Sequence, residues 1–184
     1  IAINGGGGTN LLNATVAGNV VLSNSSVSFT GGVGTIAISQ IQLAILTGSD
    51  GPDVMNASAF SGQVWLKGGK GNDLLIGGAG DDILQGDEGD DTILFFEDGI
   101  LDSNLVLGGD GADTLSFAGD AGLGISPFAS GVKVDLTILL AFQTVLLGDV
   151  RIALFAEDVE NILGGDGADT LIGNSLDNRF TGGR

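Results

Sequence analysis

Residues 68–94 are one nine-residue pattern written three times without a break. The copies read Gly68-Gly69-Lys70-Gly71-Asn72-Asp73-Leu74-Leu75-Ile76, Gly77-Gly78-Ala79-Gly80-Asp81-Asp82-Ile83-Leu84-Gln85 and Gly86-Asp87-Glu88-Gly89-Asp90-Asp91-Thr92-Ile93-Leu94. The shared form is Gly-Gly-x-Gly-x-Asp-x-U-x, where U is a large apolar residue. A period this short cannot enclose a core of its own, so each copy must stack on its neighbours. Each position has a separate physical task. The glycines let the backbone turn tightly with positive φ. The sixth-position aspartate sets a hard carboxylate oxygen beside a loop of free carbonyls, a donor set that suits Ca2+. The U residue restarts a strand and points inward.

The pattern continues outside the tandem block. Residues 108–116 and 164–172 are complete copies. Residues 48–56 lack one glycine, residues 5–13 carry Asn10 at the sixth position, and residues 173–181 keep the length with Asn178 there. On these motifs the chain resembles the RTX (repeats-in-toxin, haemolysin-type) calcium-binding nonapeptide family. The resemblance implies an all-β, right-handed parallel β-roll or β-helix solenoid, with Ca2+ between stacked turns and loop-glycine carbonyls completing each site. It also implies secretion through a type I channel, with the secretion signal beyond this stretch.

Composition agrees and excludes other classes. The 34 glycines come with only two prolines and 43% hydrophobic residues, which fits neither collagen nor a disordered linker. The net charge of −17, from 23 acidic and six basic residues, opposes binding to nucleic acid or an anionic membrane. With no Cys and no His, thiolate and imidazole metal sites are absent, and no apolar run is long enough to span a bilayer. The terminal Gly182-Gly183-Arg184 looks like the start of another repeat, so the chain is expected to belong to a longer polypeptide.

Spacing predicts the architecture. Two nonapeptides make one coil, so turns on one edge recur about every 18 residues. Turns starting at 48, 68, 86 and 108 are separated by 20, 18 and 22 residues and are expected on one edge, called edge A. The 56 residues from 108 to 164 divide into three coils, which would return the 164 turn to edge A. The 43 residues from 5 to 48 would make two. The Gly77 and Gly173 turns fall on edge B. The result is a single domain of about ten coils of 18–22 residues. Its parts are degenerate coils over 1–47, regular calcium-binding repeats over 48–116, degenerate apolar coils over 117–163 and truncated C-terminal repeats over 164–184. Met55, Leu75, Leu84, Ile93, Leu115 and Leu171 should point inward and the seventh and ninth positions outward. The apolar stretch 138–155 is expected to be buried in wider coils, with a docking surface as the second possibility; over 138–147, periodicity does not separate a strand pair from a short helix.

The candidate calcium ligands are Asp53, Asp73, Asp91 and Asp113 on edge A, and Asp82 with Asp102 on edge B. Asp169 is expected to share an ion with the truncated Gly182 repeat. By resemblance the loop glycines Gly68, Gly69, Gly71, Gly77, Gly78, Gly80, Gly86, Gly89, Gly108, Gly109 and Gly111 supply backbone oxygens. A lone aspartate in such a loop more often closes an Asx-turn, but four in phase favour an ion ladder. No calcium is expected at Asn10 or Asn178. Glu157, Asp158 and Glu160 near Arg151 form the only mixed cluster, which reads as a surface ion pair and not as an acid–base pair. The expected function is therefore non-enzymatic: a structural module that binds several calcium ions and folds outside the cell. Extracellular modules bind Ca2+ with Kd of roughly 10⁻⁴–10⁻³ M, far above cytosolic calcium. Two other partners stay open. One is a surface polysaccharide, for a roll attached to a secreted hydrolase or epimerase. The other is self-association in an adhesin or surface layer.

Overall fold

The computed structural model describes residues 2–29, 34–96, 103–129, 132–136, 143–147 and 150–183, and among these there are strands and turns but no helix. In chain order the strands are β1 (Ala2–Asn4), β2 (Leu11–Thr15), β3 (Val20–Ser23), β4 (Ser26–Phe29), β5 (Gly34–Ser39), β6 (Leu43–Thr47) and β7 (Val54–Ala59). There follow β8 (Gln63–Lys70), β9 (Leu74–Ile76), β10 (Ile83–Glu88), β11 (Thr92–Leu94), β12 (Ser103–Asp110) and β13 (Thr114–Ser116). The last are β14 (Val132–Asp135), β15 (Gln143–Leu147), β16 (Val150–Glu157), β17 (Asn161–Leu163), β18 (Thr170–Ile172) and β19 (Arg179–Thr181).

They form two sheets. The first has the order β1-β5-β4-β3-β7-β9-β11-β13-β17-β19, the second β18-β14-β15-β16-β12-β10-β8-β6-β2. From β6 to β13 the chain alternates between the sheets at every turn and all pairing is parallel. This is the winding that the nonapeptide demands, because each glycine-rich turn delivers the chain to the opposite sheet. Edge A is where the chain crosses from second sheet to first, edge B where it crosses back.

The register lines up the U residues. Met55, Leu75, Ile93, Leu115 and Ile162 are successive partners across the first sheet. Leu46, Leu66, Leu84 and Val106 are successive partners across the second. All nine side chains are buried and belong to one core cluster. Leu171, farther along, is only partly buried. The ninth positions depart from the alternation rule. Ile76 and Leu94 lie on the outer face of the first sheet, yet they are buried with Ile125 in a second cluster, beside Leu74 and Phe96. The excursion after β13, closed by the Asp120–Ile125 bridge, covers that face.

Two antiparallel excursions break the regular winding. In the first sheet β3, β4 and β5 form a meander. In the second, β15 pairs antiparallel with both β14 and β16. The extra strands consume residues without completing coils, so the spacing arithmetic fails across both stretches. The turn at 5–10 joins β1 in the first sheet to β2 in the second and so lies on edge B. The edge A neighbour of the 108 turn is the turn at 158–160, since β13 pairs with β17. The 164 turn leads from β17 in the first sheet to β18 in the second. It therefore belongs to edge B, and the 173 turn to edge A, the reverse of the expectation. Within the apolar stretch, residues 143–147 are a strand and residues 138–142 lie outside the described residues.

Phe117 anchors the point where the second excursion departs. Its ring stacks on Phe95 at 5.6 Å and meets Phe128 edge-on at 5.5 Å. All three are buried. Phe117→Ala is expected to cost about 3–5 kcal/mol, read as a lowered urea midpoint in saturating calcium.

Candidate metal centre

On edge A the sixth-position aspartates stand in a column, one per coil. Asp53, Asp73, Asp91 and Asp113 are between 0 and 3% exposed, which is extreme for carboxylates. Each is tied to the next by its backbone. The Asp53 N–H donates to Asp73 Oδ1 at 2.7 Å, that of Asp73 to Asp91 Oδ1 at 2.7 Å and that of Asp91 to Asp113 Oδ1 at 2.8 Å. At the upper end Gly18 N–H donates to Asp53 Oδ1 at 2.7 Å. One oxygen of each carboxylate is thus spent on the ladder. The second oxygen behaves differently. The Oδ2 atoms of Asp73, Asp91 and Asp113 are buried without a hydrogen-bond partner. Asp53 Oδ2 accepts from the Ser49 N–H and hydroxyl at 2.6 and 3.0 Å. A buried oxygen left in this state is costly unless something cationic meets it.

The glycines explain what surrounds these oxygens. A β-carbon on Gly68 would stand 2.2 Å from Asp73 Oδ2 and 2.5 Å from the Gly86 carbonyl oxygen. One on Gly86 would stand 2.2 Å from Asp91 Oδ2 and 2.5 Å from the Gly108 carbonyl oxygen. Each first-position glycine therefore keeps open a small space between a carboxylate and a carbonyl of the next coil. A side chain would fill it. Among the described residues no three acidic side chains converge, so an ion here depends on backbone oxygens. Carboxylate plus carbonyl is the hard-oxygen set that Ca2+ takes and zinc does not.

Gly111 shows the second use of glycine. Its φ is +140°, and an added β-carbon would lie 2.0 Å from the Gly89 carbonyl oxygen. Gly111→Ala is expected to destabilise the calcium-loaded protein by more than about 1 kcal/mol, again read from a urea midpoint. The third tandem copy breaks the rule at its second position. Asp87 has φ +76° between its register partners Gly69 and Gly109, which have +107° and +117°.

Burial raises the carboxyl pKa values. Desolvation pushes Asp73 up to about 6, with the Asp91 and Asp53 charges adding to it. It pushes Asp113 up to about 7, helped by Asp91 and Glu160. Asp91 is raised by the same cause. Backbone hydrogen bonds oppose the rise in each case. The charged form is therefore poorly accommodated until a cation arrives.

Edge B is shorter. Asp82 Oδ1 accepts the Val64 N–H and its Oδ2 the Gly78 N–H, both at 2.7 Å. The Asp82 N–H donates to Asn104 Oδ1 at 2.9 Å. Asn104 thus holds the ladder position next to Asp82 that sequence spacing gave to Asp102, which lies outside the described residues. Asp169, shifted to this edge by the excursion, accepts the Val132 N–H at 2.9 Å and leaves Oδ2 buried and unpartnered. Gly183 lies against Gly165, so the truncated repeat does stack on the 164 turn.

Both edge B aspartate turns rest on the carbonyl of a phenylalanine that lies outside the nonapeptide motif. Ala79 N–H donates to the Phe60 carbonyl at 3.0 Å, and Asp166 N–H to the Phe128 carbonyl at 2.6 Å. Phe60 and Phe128 lie in two distant segments, so no local motif announces them. The Asn10 amide donates to the Gln40 carbonyl at 2.8 Å, and Asn178 Oδ1 accepts the Asn174 N–H at 3.1 Å. Glu160 is also recast. Its Oε2 accepts the Asp113 N–H at 2.7 Å, a role on the edge A ladder.

The described residues form an all-β stack of largely parallel strands with buried aspartates in register, consistent with a β-roll. The family model for the RTX calcium-binding nonapeptide repeat, four copies, matches residues 65–93 and 157–184. These two segments are similar to RTX calcium-binding repeats, a kind typical of secreted proteins. No curated protein matches the chain. No helix among the described residues is long and apolar enough to cross a membrane.

Proposed function

We propose that this chain is a calcium-gated structural module, non-catalytic, that folds when its polypeptide reaches extracellular calcium. The ions bind along edge A, with Asp53, Asp73, Asp91 and Asp113 as carboxylate ligands and Gly68, Gly86 and Gly108 among the carbonyl donors. Asp82 and Asp169 serve shorter sites on edge B. The observation that carries this reading is the row of buried, partnerless Oδ2 atoms at Asp73, Asp91 and Asp113. Three acids held this way, one coil apart, oppose folding unless a cation neutralises them.

We read the winding as right-handed and as a stack of many coils, a reading that the ten- and nine-stranded sheets support. The chain acts as one domain, since each sheet carries strands from both ends of the sequence. Export of the unfolded chain through a type I channel fits, because cytosolic calcium lies far below the Kd range of extracellular modules. Titration calorimetry with calcium, then with magnesium, tests the reading. Several calcium ions should bind with Kd of roughly 10⁻⁴–10⁻³ M, and magnesium should not substitute, because it demands a rigid octahedral shell. Equal binding of both ions would refute a built calcium ladder.

A further inference from the structure

We propose that the edge A ladder holds one calcium ion beyond those the aspartate motif marks, at a site closed by Glu160 and the Asp158 carbonyl against Asp113. This rests on the calcium function proposed above and extends it to a turn without a single glycine. Asp113 is fully buried, and its Oδ2 has no partner. A β-carbon on Gly108 would stand 2.4 Å from Asp113 Oδ2 and 1.8 Å from the Asp158 carbonyl oxygen. The same pair of oxygens, one carboxylate and one carbonyl from the next coil, surrounds Gly68 and Gly86. Asp158 therefore stands where the first glycine of a following repeat would stand.

Glu160 stands where the aspartate of that repeat would. Its Oε2 accepts the Asp113 N–H at 2.7 Å, as Asp113 Oδ1 accepts the Asp91 N–H at 2.8 Å. The pairing of Thr114 with Asn161 continues the parallel register directly after the site. The turn 158–160 is shorter than the turn 108–113, and the extra methylene of glutamate supplies the reach that the shorter backbone lacks. A backbone φ of +54° at Asp158 keeps the chain in the left-handed region at this corner, which aspartate tolerates better than most residues. The second excursion thus returns the chain to edge A with a ligand set assembled from non-repeat residues.

Glu160→Gln tests this, because the amide oxygen still accepts the Asp113 N–H while the charge is lost. Calcium-counting by native mass spectrometry on the full chain should find one ion fewer than wild type. An unchanged ion count in folded Glu160→Gln protein would overturn the proposal while leaving the calcium function intact. A wild type that binds no calcium at all would instead refute the underlying function. Should Glu160→Gln fail to fold, crystals of the wild type with calcium decide: anomalous density beside the Glu160 carboxylate supports the site. Ions elsewhere on edge A with none there overturn it.

Discussion

Asp91→Asn is expected to destabilise the calcium-loaded protein and to stabilise the calcium-free one. The asparagine keeps an oxygen for the Asp73 N–H, so the ladder hydrogen bond survives. What it removes is the charge on the buried second oxygen. With calcium present, one ion is lost or greatly weakened, worth about 1.4 kcal/mol at calcium ~10 times Kd and about 2.7 kcal/mol at ~100 times. Without calcium the same charge is a burden, as the raised pKa of Asp91 records. Asp91→Ala lacks this sign change. It also leaves the Asp73 N–H unsatisfied, adding about 1–3 kcal/mol in either condition. Urea midpoints of both variants in calcium and in EGTA separate the cases. Destabilisation by Asp91→Asn of the same size with and without calcium would mean that Asp91 serves only as a turn residue.

The second large effect is an opposite response to pH in the two states. In the calcium-free protein Asp73 and Asp113 have folded pKa values of about 6 and 7, above the ordinary value of 3.8. A carboxyl with a raised folded pKa favours the folded state fully when both states are protonated, below the unfolded pKa. That contribution is lost as pH rises through the folded pKa. The calcium-free chain should therefore be best folded near pH 4 and lose β structure as pH rises through 6 to 7. Calcium binding runs the other way, because the ion must displace protons from its ligands. The apparent calcium Kd of the folded Asp113 site should rise about tenfold between pH 7.5 and 6, for one competing proton. From sequence alone, acid release belongs near the unperturbed aspartate range of ~4. Burial moves the competition upward and makes acid a partial substitute for calcium. Circular dichroism at pH 5 and 8 in EGTA checks the first claim. Equal β signal at the two values would contradict it.

The regular repeats were legible because their chemistry is local. A glycine, an aspartate and an apolar residue at fixed phase determine one turn, and stacking then follows from the period. Asp53, Asp73, Asp91 and Asp113 were placed correctly in one column for that reason. The two excursions were not legible. An antiparallel meander such as β3-β4-β5 has no nonapeptide phase, so counting residues from 5 to 48 carried the turn to the wrong edge. The same failure between 108 and 164 exchanged the edges of Asp169 and Asn178. Asn104 and Glu160 were missed because each occupies a ladder position through tertiary register and not through the motif. Glu160 carried the right charge, but its neighbours Asp158 and Glu157 made the cluster look like a surface turn. The burial of Ile76 and Leu94 on an outer face was invisible too, since the segment that covers them lies some thirty residues farther along the chain for Leu94 and nearly fifty for Ile76.

The most direct test of calcium gating is a calcium titration at pH 7.5 followed by far-UV circular dichroism, with magnesium as the control. Calcium gating requires a cooperative rise in β signal at sub-millimolar to millimolar calcium and none with magnesium. A chain already fully folded in EGTA at that pH would contradict it, leaving the apolar core as sufficient and the buried aspartates as turn residues.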